Sequence, residues 1–307
     1  MCAYLSLDSE PNGKLSDPSN TPSAIPGNIG VMRGDQRQDY LAKQLHAMSL
    51  PVLLIQEPEP AVFKTCSLIV APTPLTKDKK TLTGHPALSI EDFHALLCPG
   101  QTLFGGNLPE QTREYCRQKK ITFYDFMEME EVAQRNAVAT AEGAVCEAIC
   151  ASPINLDGSL CLVAGYGRCG QIIARKLRGM DADVTVMECD EKKQHLAKKE
   201  GFPCIQSHAL AYFLETNSIQ FLFNTIPCPI FHEGLLKRTP EDITIIDIAS
   251  APGGVDFAYC QTSGRKALLC PGLPGKYSPK TSGQVLCHAL FLTDVLSMTN
   301  AFKEVLI

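Results

Sequence analysis

The sequence predicts an α/β protein with two Rossmann-like domains, each built on a doubly wound parallel sheet, and a cleft between them. Short apolar runs alternate with helical segments along most of the chain, a pattern typical of parallel strands joined by crossover helices. The length of 307 residues and the hydrophobic content of 45% suit two cores better than one. A glycine-rich turn of the dinucleotide-binding type also follows an apolar run near the middle of the chain.

The composition argues against several classes of function. The formal net charge of -5, without any block rich in Lys and Arg, gives no footprint for nucleic acid. No apolar stretch approaches the ~18 residues of a membrane span, and the N-terminus lacks a secretory signal, so we expect a cytoplasmic protein without membrane contact. The 14 cysteines are scattered without a Cys-x-x-Cys pair, which predicts reduced thiols and no metal.

The first part of the chain divides into a leader and a domain. Residues 1–27 are rich in Pro, Ser, Asn and Gly, and this composition predicts a disordered leader. An N-terminal Rossmann-like substrate domain is expected over residues 28–130. Its predicted strands lie at 29–32, 52–55, 67–71, 95–98 and 121–126. Its predicted helices lie at 36–48 and 109–120.

The second part begins with residues 131–151, whose small and apolar side chains recur at helical spacing and predict an inter-domain helix. An NAD(P)-binding Rossmann domain is expected over residues 152–282. Its predicted strands lie at 160–164, 183–187, 221–223, 243–248 and 268–269, and its predicted helices at 169–180 and 191–199. A final amphipathic helix begins near Gly283, and residues 283–307 are expected to pack back on the N-terminal domain.

The dinucleotide fingerprint is Gly-Tyr-Gly-Arg-Cys-Gly, which stands directly between a strand-like run and a helix. Gly165 permits the tight turn, Gly167 lets the backbone approach a pyrophosphate, and Gly170 lets the helix pack close to the strand. Arg168 and Cys169 open the helix, where free N–H groups and a partial positive charge suit phosphates. Arg168 itself is expected to donate to the pyrophosphate, with a plain surface position as the alternative.

Glu188 bears on the choice of cofactor. It follows the second strand of the domain, near the ~20-residue offset at which an acid accepts hydrogen bonds from the ribose hydroxyls. A carboxylate there favours NAD, because it repels the 2′-phosphate of NADP. Lys192 and Lys193 lie close by and offset part of that repulsion, so the predicted cofactor is NAD or NADP, with NAD favoured.

Four further segments are more specific than the glycine loop. They are Arg33–Gln38 (RGDQRQ), Phe223–Pro227 (FNTIP), Asp247–Phe257 (DIASAPGGVDF) and Ala267–Gln284 (ALLCPGLPGKYSPKTSGQ). In order and spacing they resemble the A-type subunit of dipicolinate synthase from endospore-forming bacteria, over about residues 28–300. The chain departs from some members at Met187-Glu188-Cys189, where those members carry Gly-Ala-Arg, at Ala251, where they carry Arg, and at Arg33, where Gly is usual.

The resemblance implies a dehydrogenase-like protein that oxidises dihydrodipicolinate to dipicolinate during sporulation. It implies NAD(P)+ as hydride acceptor and a small dicarboxylate as substrate. The implied partner is the separate, flavoprotein-like B-type subunit of dipicolinate synthase. It also implies two Rossmann-like domains with a cleft between them, in agreement with the pattern of strands and helices.

Oxidation of such a cyclic dianion needs cationic clamps and a proton acceptor. The candidate clamps are Arg37, after the first strand, and Lys280, in the Pro- and Gly-rich loop that is expected to face the cleft. Lys280 is also the candidate proton acceptor. The alternative for Arg37 is an ordinary charge on a helix surface, and Asp35 is expected to cap the helix that begins at Gln36.

Four residues are candidates for the nicotinamide pocket. Thr225 and Pro227 follow a strand, at the carboxyl end of the sheet where ligands bind in such folds. Asn224 and Ser250 are expected to hydrogen-bond the carboxamide or the ribose. For all four, a turn-forming role fits the pattern equally well. None of the seven histidines stands beside a motif, and we interpret them as structural or surface residues.

Two other functions fit parts of the sequence. One is another NAD-dependent dehydrogenase of the double-Rossmann type acting on a 2-hydroxy acid, which is disfavoured because such enzymes use a His with Glu or Asp for proton transfer. The other is a non-catalytic, dinucleotide-sensing partner of another enzyme, disfavoured by the density of loop motifs at strand ends. A homo-oligomer is compatible with either.

Overall fold

The computed structural model describes residues 27–293 and 295–296, which form two parallel α/β sheets and a small hairpin. The strands are β1 (Asn28–Met32), β2 (Val52–Ile55), β3 (Cys66–Val70), β4 (Thr81–Leu82), β5 (His85–Ser89), β6 (Thr102–Gly105), β7 (Thr122–Asp125), β8 (Leu160–Ala164), β9 (Asp183–Met187), β10 (Cys204–Ile205), β11 (Phe221–Asn224), β12 (Thr244–Asp247) and β13 (Lys266–Leu269). The α-helices are α1 (Gln36–Ala47), α2 (Pro60–Lys64), α3 (Ile90–Leu96), α4 (Glu110–Lys119), α5 (Glu130–Ala151), α6 (Arg168–Arg178), α7 (Glu191–Lys199), α8 (Leu210–Thr216), α9 (Glu233–Leu236), α10 (Phe257–Thr262), α11 (Leu273–Tyr277) and α12 (Pro279–Leu290).

The first sheet has the strand order β2-β1-β3-β6-β7, and all of its pairings are parallel. The chain changes direction along the sheet between β1 and β3. In doubly wound sheets a crevice opens at that point, beyond the carboxyl ends of the strands, and ligands bind there. The loops at this crevice are Arg33–Asp35 and Ala71–Pro74. The antiparallel hairpin of β4 and β5 is inserted after β3 and was not predicted.

The second sheet has the strand order β10-β9-β8-β11-β12-β13, again with parallel pairings throughout. This is the Rossmann order, and its crevice lies between β8 and β11. The glycine loop follows β8 and the segment Thr225–Pro227 follows β11, so both predicted motifs meet at one point. The predicted fold class, two doubly wound parallel-sheet units, is confirmed.

Two helices connect the two halves. The small residues of α5, among them Ala144 and Ala148, pack into the core of the second sheet. A Cβ on Gly143 of α5 would lie 2.8 Å from Leu273 Cβ, so this glycine lets α11 approach closely. On the other side, Leu286 and Leu290 of α12 share the core of the first sheet with residues of α1.

Some predicted boundaries are wrong. The apolar run 95–98, predicted as a strand, forms the end of α3 and the loop after it, and the next strand is β6. The reason is that Ile90 and Phe93 lie at helical spacing and are buried in the same core as this run. The last helix begins at Pro279, where proline suits the first helical position, and not near Gly283. The predicted leader up to residue 26 lies outside the described residues, as do residues 294 and 297–307, whereas α12 itself ends at Leu290.

None of the helices in the described residues is long and apolar enough to cross a lipid bilayer. Over the same ranges, no group of three or more His, Cys, Asp or Glu side chains is placed to bind a metal ion. The cysteines that the structure describes are all free thiols. The division of the chain into domains at the boundaries given above stays a prediction.

Candidate functional site: a dinucleotide loop facing an interdomain cleft

The glycine loop has the backbone geometry that the fingerprint predicts. Gly165 directly follows β8 and has a φ of +92°, which side-chain-bearing residues rarely adopt. A Cβ on Gly170 would lie 2.0 Å from the carbonyl oxygen of Gly165, so α6 approaches the strand more closely than any other residue permits. Both glycines are therefore required by the turn itself, whether or not a ligand binds.

Gly167 differs, since a Cβ there would meet no protein atom within 4 Å. Its φ of -79° is available to any residue, so the fold alone does not demand glycine. Among the described residues, the backbone N–H groups of Arg168 and Cys169 have no hydrogen-bond partner. Free N–H groups at the start of α6, beside open space over Gly167, fit the pyrophosphate of a dinucleotide.

Glu188 lies against the same loop. It is 8% exposed, and its Oε2 accepts a hydrogen bond from Tyr166 N at 2.8 Å. Its Oε1 accepts from the backbone of Cys189 at 2.8 Å and of Asp190 at 3.0 Å. Three backbone donors thus fix the carboxylate at the end of β9, where a ribose is bound in Rossmann domains.

Arg168 and Cys169 take up other contacts. Arg168 Nη1 is 2.9 Å from Glu130 Oε2 at the start of α5, so its guanidinium is engaged in an exposed ion pair rather than aimed at the loop. The expected contact of Arg168 with a pyrophosphate stays a prediction. Cys169 is half-buried, and burial raises the pKa of its thiol, with the nearby charge of Arg168 opposing the shift.

Thr225 closes over the glycine loop from β11. Its hydroxyl donates to Ala164 O at 2.9 Å, and its Oγ1 lies only 2.3 Å from the position of a Cβ on Gly165. Pro227 is exposed just beyond it. Ser250 is exposed as well, and its carbonyl accepts from Gly253 N at 3.0 Å in a turn. Thr225 therefore has a structural contact, whereas the side chains of Pro227 and Ser250 face solvent.

Asn224 is held by contacts within the protein. It is fully buried, and its amide nitrogen donates to Asp247 Oδ1 at 2.9 Å and to Ile226 O at 3.1 Å. Asp247, also fully buried, accepts further bonds from Ala249 N and Gly254 N at 2.9 and 2.7 Å. This pair joins the ends of β11 and β12, and the expected hydrogen bond from Asn224 to the carboxamide or ribose stays a prediction. The sequence signal for this buried pair was Asp247, an acidic residue at the end of an apolar run, and it was missed.

Arg37 is buried, at 5% exposure, and the interpretation as a surface charge is wrong. Its guanidinium holds Asp35 through Nε at 3.0 Å and Nη2 at 2.7 Å, and Nη2 also donates to Thr73 O. Asp35 in turn accepts from Arg37 N and forms a capping box with Gln38, so its predicted role as a helix cap is borne out. Burial raises the pKa of Asp35, but the hydrogen bonds and charge of Arg37 outweigh it and lower the pKa overall.

A cavity of about 510 Å³ lies between the two halves, and we call it the cleft cavity. It is lined by Arg33, Gly34, Asp35, Gln36, Gly84, Gly275 and Lys276. A Cβ on Gly275 would lie 2.7 Å from Asp35 Oδ2, which shows how closely α11 approaches the loop after β1. Lys276 is engaged with Glu147 at 2.5 Å. The crevice of the first sheet therefore faces helix α11, which follows β13.

Lys280 is exposed at the second position of α12 rather than in a loop. Its side chain forms no ion pair or hydrogen bond within the described residues. Loop placement was expected because Pro271, Pro274 and Pro279 interrupt the pattern, yet Pro274 and Pro279 each stand in the first turn of a helix.

Buried polar atoms concentrate around the loop after β1 and were not foreseen from the sequence. Within the described residues, Thr73 Oγ1, Thr83 Oγ1, His85 Nε2 and Gln38 Nε2 are buried without a hydrogen-bond partner. Gly84 at the hairpin tip lies against this loop, since a Cβ there would be 2.7 Å from Arg33 O. Burial lowers the pKa of His85, with a bond to the Arg33 backbone opposing the shift. The only sequence signal was the turn glycine between Thr83 and His85.

Known proteins resemble this chain, some over most of its length and one family over a short segment. Residues 161–212 match the TrkA-N domain family. The chain is 28% identical over 280 residues to the A-type subunit of dipicolinate synthase from Bacillus subtilis (strain 168), an alignment that covers 85% of this chain and 94% of that one. The resemblance predicted from the sequence is confirmed by this match.

Solved structures agree. The A-type subunit of dipicolinate synthase from Bacillus halodurans superposes with a TM-score of 0.77 at 26% identity, covering 88% of this chain and 98% of that one. A transhydrogenase from Sinorhizobium meliloti superposes with a TM-score of 0.66 at 12% identity, covering 89% and 94%, and shares the fold. The chain thus shares the two-domain fold of these proteins and resembles the A-type dipicolinate synthase proteins in sequence as well.

Proposed function

We propose that this chain oxidises dihydrodipicolinate to dipicolinate, as the dehydrogenase component of a dipicolinate synthase in sporulation. The observation that carries the proposal is the resemblance to the A-type dipicolinate synthase proteins, which spans 94% of one relative in sequence and 98% of a second one in structure. The glycine loop and cleft cavity supply a place for a dinucleotide and for a small substrate. In this proposal residues 28–130 are the substrate domain, 131–151 the inter-domain helix and 152–282 the dinucleotide domain, and α12 packs back on the substrate domain.

The reaction removes a hydride and a proton from a cyclic dianion and leaves an aromatic pyridine. A nicotinamide, when bound, is the hydride acceptor. The tasks left to the chain are to hold two carboxylates, to orient the ring and to accept a proton. Arg37 suits the first task, because Asp35 and the Thr73 carbonyl fix its guanidinium beside the cleft.

Lys280 is proposed as the second clamp and as the proton acceptor. Its ammonium forms no hydrogen bond or ion pair with the described residues, so a ligand does not have to displace such a partner. Substitution by alanine removes no stabilising contact seen in the structure. Lys280→Ala is therefore a clean test: turnover falls strongly if Lys280 acts on the substrate, and the free energy of unfolding stays unchanged.

We propose NAD as the cofactor. The Glu188 carboxylate is held by three backbone N–H groups next to the glycine loop, so it cannot turn away to admit a 2′-phosphate without losing those bonds. The 2′-hydroxyl of NAD, in contrast, donates to such a carboxylate. The predicted partners, namely the B-type subunit of dipicolinate synthase and a second copy of the chain, and the cytoplasmic location belong to the proposal.

The experiment that tests this function compares substrates and partners. Purified chain is incubated with NAD+ and either freshly generated dihydrodipicolinate or a panel of 2-hydroxy acids, with and without the B-type subunit, and formation of reduced cofactor is followed. The proposal expects activity with dihydrodipicolinate alone. Activity with a 2-hydroxy acid points to a different dehydrogenase, and dinucleotide binding without turnover under every condition points to a sensing protein.

A further inference from the structure

A second cavity lies between α5 and the first turn of α12. It measures about 220 Å³, and we call it the helix cavity. Its lining comprises Arg37, Val132, Arg135, Asn136, Val138, Ala139, Glu142, Ser278, Thr281, Ser282, Val285 and Leu286. None of these residues lines the cleft cavity. The two cavities are nevertheless neighbours, because Asp35 of the cleft cavity is bonded to Arg37 of the helix cavity.

The Arg37 guanidinium is the buried charge of this cavity. Its side chain is 6% exposed, and Nε and Nη2 are engaged by Asp35 and by the Thr73 carbonyl. Nη1 has no hydrogen-bond partner in the part of the chain that the structure describes. A guanidinium carries five N–H donors, and Nη1 is not among the fully buried atoms that lack a partner, so its donors reach open space. A ligand oxygen in the helix cavity supplies the missing acceptor.

The N-terminus of α12 provides further donors at the same cavity. This helix has 12 residues, its cap Ser278 forms no side-chain capping bond, and no acidic residue stands in its first turn. The backbone N–H groups of Lys280 and Thr281 find no partner among the described residues. Unpaired N–H groups and the helix dipole favour an anion at this position.

Asn136 of α5 lines the cavity from the opposite side. Its side-chain amide forms no hydrogen bond with the described residues, whereas its backbone carbonyl accepts one from Thr140 at 2.8 Å. The acidic side chain in the lining, Glu142, is neutralised by Lys176 at 2.8 Å. Arg135 adds a cation that is only loosely held, at 3.3 Å from Glu131. The free hydrogen-bonding groups of the cavity are thus mostly donors.

We infer that the helix cavity binds one carboxylate of a small dicarboxylate through Arg37, Asn136 and the N-terminus of α12. The identity of that dicarboxylate as the substrate rests on the proposed function. At about 220 Å³ the cavity is smaller than the ~300–1,000 Å³ of pockets for drug-sized ligands, which suits one carboxylate end of a small ligand. Arg37 then links the two cavities, because Asp35 of the cleft cavity holds it, and Asn136 sets the specificity for a carboxylate at this end.

The test measures binding of dipicolinate by isothermal titration calorimetry, in the presence of saturating NADH and in metal-free buffer, because dipicolinate chelates cations. Asn136→Ala removes one amide donor, and Asn136→Asp replaces it by a carboxylate of the same shape. Loss of a hydrogen bond to a charged group predicts a Kd raised about tenfold for Asn136→Ala, and more for Asn136→Asp through repulsion. Gln134→Ala, on the exposed face of α5 outside the cavity, is the matched control and keeps the wild-type Kd. The Kd of NADH is unchanged in all three variants.

Two results overturn the inference: a dipicolinate Kd that is the same in wild type and in both Asn136 variants, or a wild-type chain that binds neither dipicolinate nor the related dicarboxylates isophthalate and glutarate. The proposed function fails separately. Asn136-dependent binding of dipicolinate by a chain that does not oxidise dihydrodipicolinate upholds the carboxylate site and refutes the synthase assignment.

Discussion

Asp35 and Arg37, two residues apart at the start of α1, form a two-pronged ion pair in which Nε and Nη2 lie 3.0 and 2.7 Å from the carboxylate oxygens. The same carboxylate caps α1 through Arg37 N at 2.9 Å, and the guanidinium reaches the Thr73 carbonyl in the loop after β3. One pair therefore fixes the helix start and ties together the two loops that form the crevice of the first sheet.

Asp35→Ala is predicted to lower the free energy of unfolding by about 2–4 kcal/mol. Loss of the cap accounts for about 1 kcal/mol, and the remainder is the cost of leaving a buried guanidinium without its partner. Urea denaturation measures the change. Asp190→Ala is the matched control, because Asp190 caps α7 through Lys193 N without holding a buried cation, and it should lose only the cap's share. Equal losses in the two variants would contradict the account.

The pair also predicts a dependence of stability on pH. Arg37 lowers the pKa of Asp35 below its ordinary value of 3.8 despite the opposing effect of burial. A lowered folded-state pKa means that the carboxylate stabilises the fold fully above that ordinary value, and that this contribution is lost as the pH falls toward the folded pKa. The difference in unfolding free energy between wild type and Asp35→Asn should be constant above about pH 5 and shrink below it. A difference that grows on acidification would show that the sign is wrong.

Gly167 and Gly170 should respond in opposite ways to alanine. Gly167→Ala is expected to leave the thermal stability of the free protein unchanged, because the new Cβ meets no protein atom, and to weaken dinucleotide binding by about tenfold or more, because the methyl group occupies the space over the loop. Gly170→Ala is expected to destabilise the fold, since its Cβ would lie 2.0 Å from a backbone oxygen. Thermal melts with and without NAD+ separate the two effects. Normal NAD+ affinity in Gly167→Ala would place the dinucleotide elsewhere.

Glu188 should determine the preference for NAD+ over NADP+. Wild type is predicted to bind NAD+ at least about a hundredfold more tightly, and Glu188→Ser to reduce this ratio to about tenfold or less by removing the charge that repels the 2′-phosphate. Fluorescence titration with NADH and NADPH gives both constants. Glu191→Ser, at the exposed start of α7, is the control and should keep the wild-type ratio. Equal affinity of wild type for the two cofactors would refute this role.

Five of the six strands of the second sheet could be predicted from the sequence, and only the two-residue edge strand β10 was missed. Its strands are short, apolar and followed by Gly165 or Glu188 at characteristic offsets, so the local pattern and the ligand chemistry agree. The first sheet was predicted less well. An apolar run as short as 95–98 fits a strand and a helix equally well. Only the burial of Ile90 and Phe93 in the same core shows that it belongs to a helix.

The side-chain partners in the site were beyond prediction from one sequence. Asn224 and Asp247 are 23 residues apart, and only the parallel pairing of β11 with β12 brings them together. Arg37 has the sequence environment of an exposed helix residue, yet α12 and the loop after β3 cover it. Such contacts depend on the register and docking of distant elements, which local spacing does not encode.

The most direct test of the central claim follows the reduced-nicotinamide band and the dipicolinate band together, with purified chain, freshly generated dihydrodipicolinate and NAD+. The account predicts that both bands rise at the same rate, one reduced cofactor for each dipicolinate, and faster than the spontaneous oxidation of the substrate. Dipicolinate that forms only at the spontaneous rate, without reduced cofactor and even when the B-type subunit is present, would contradict it.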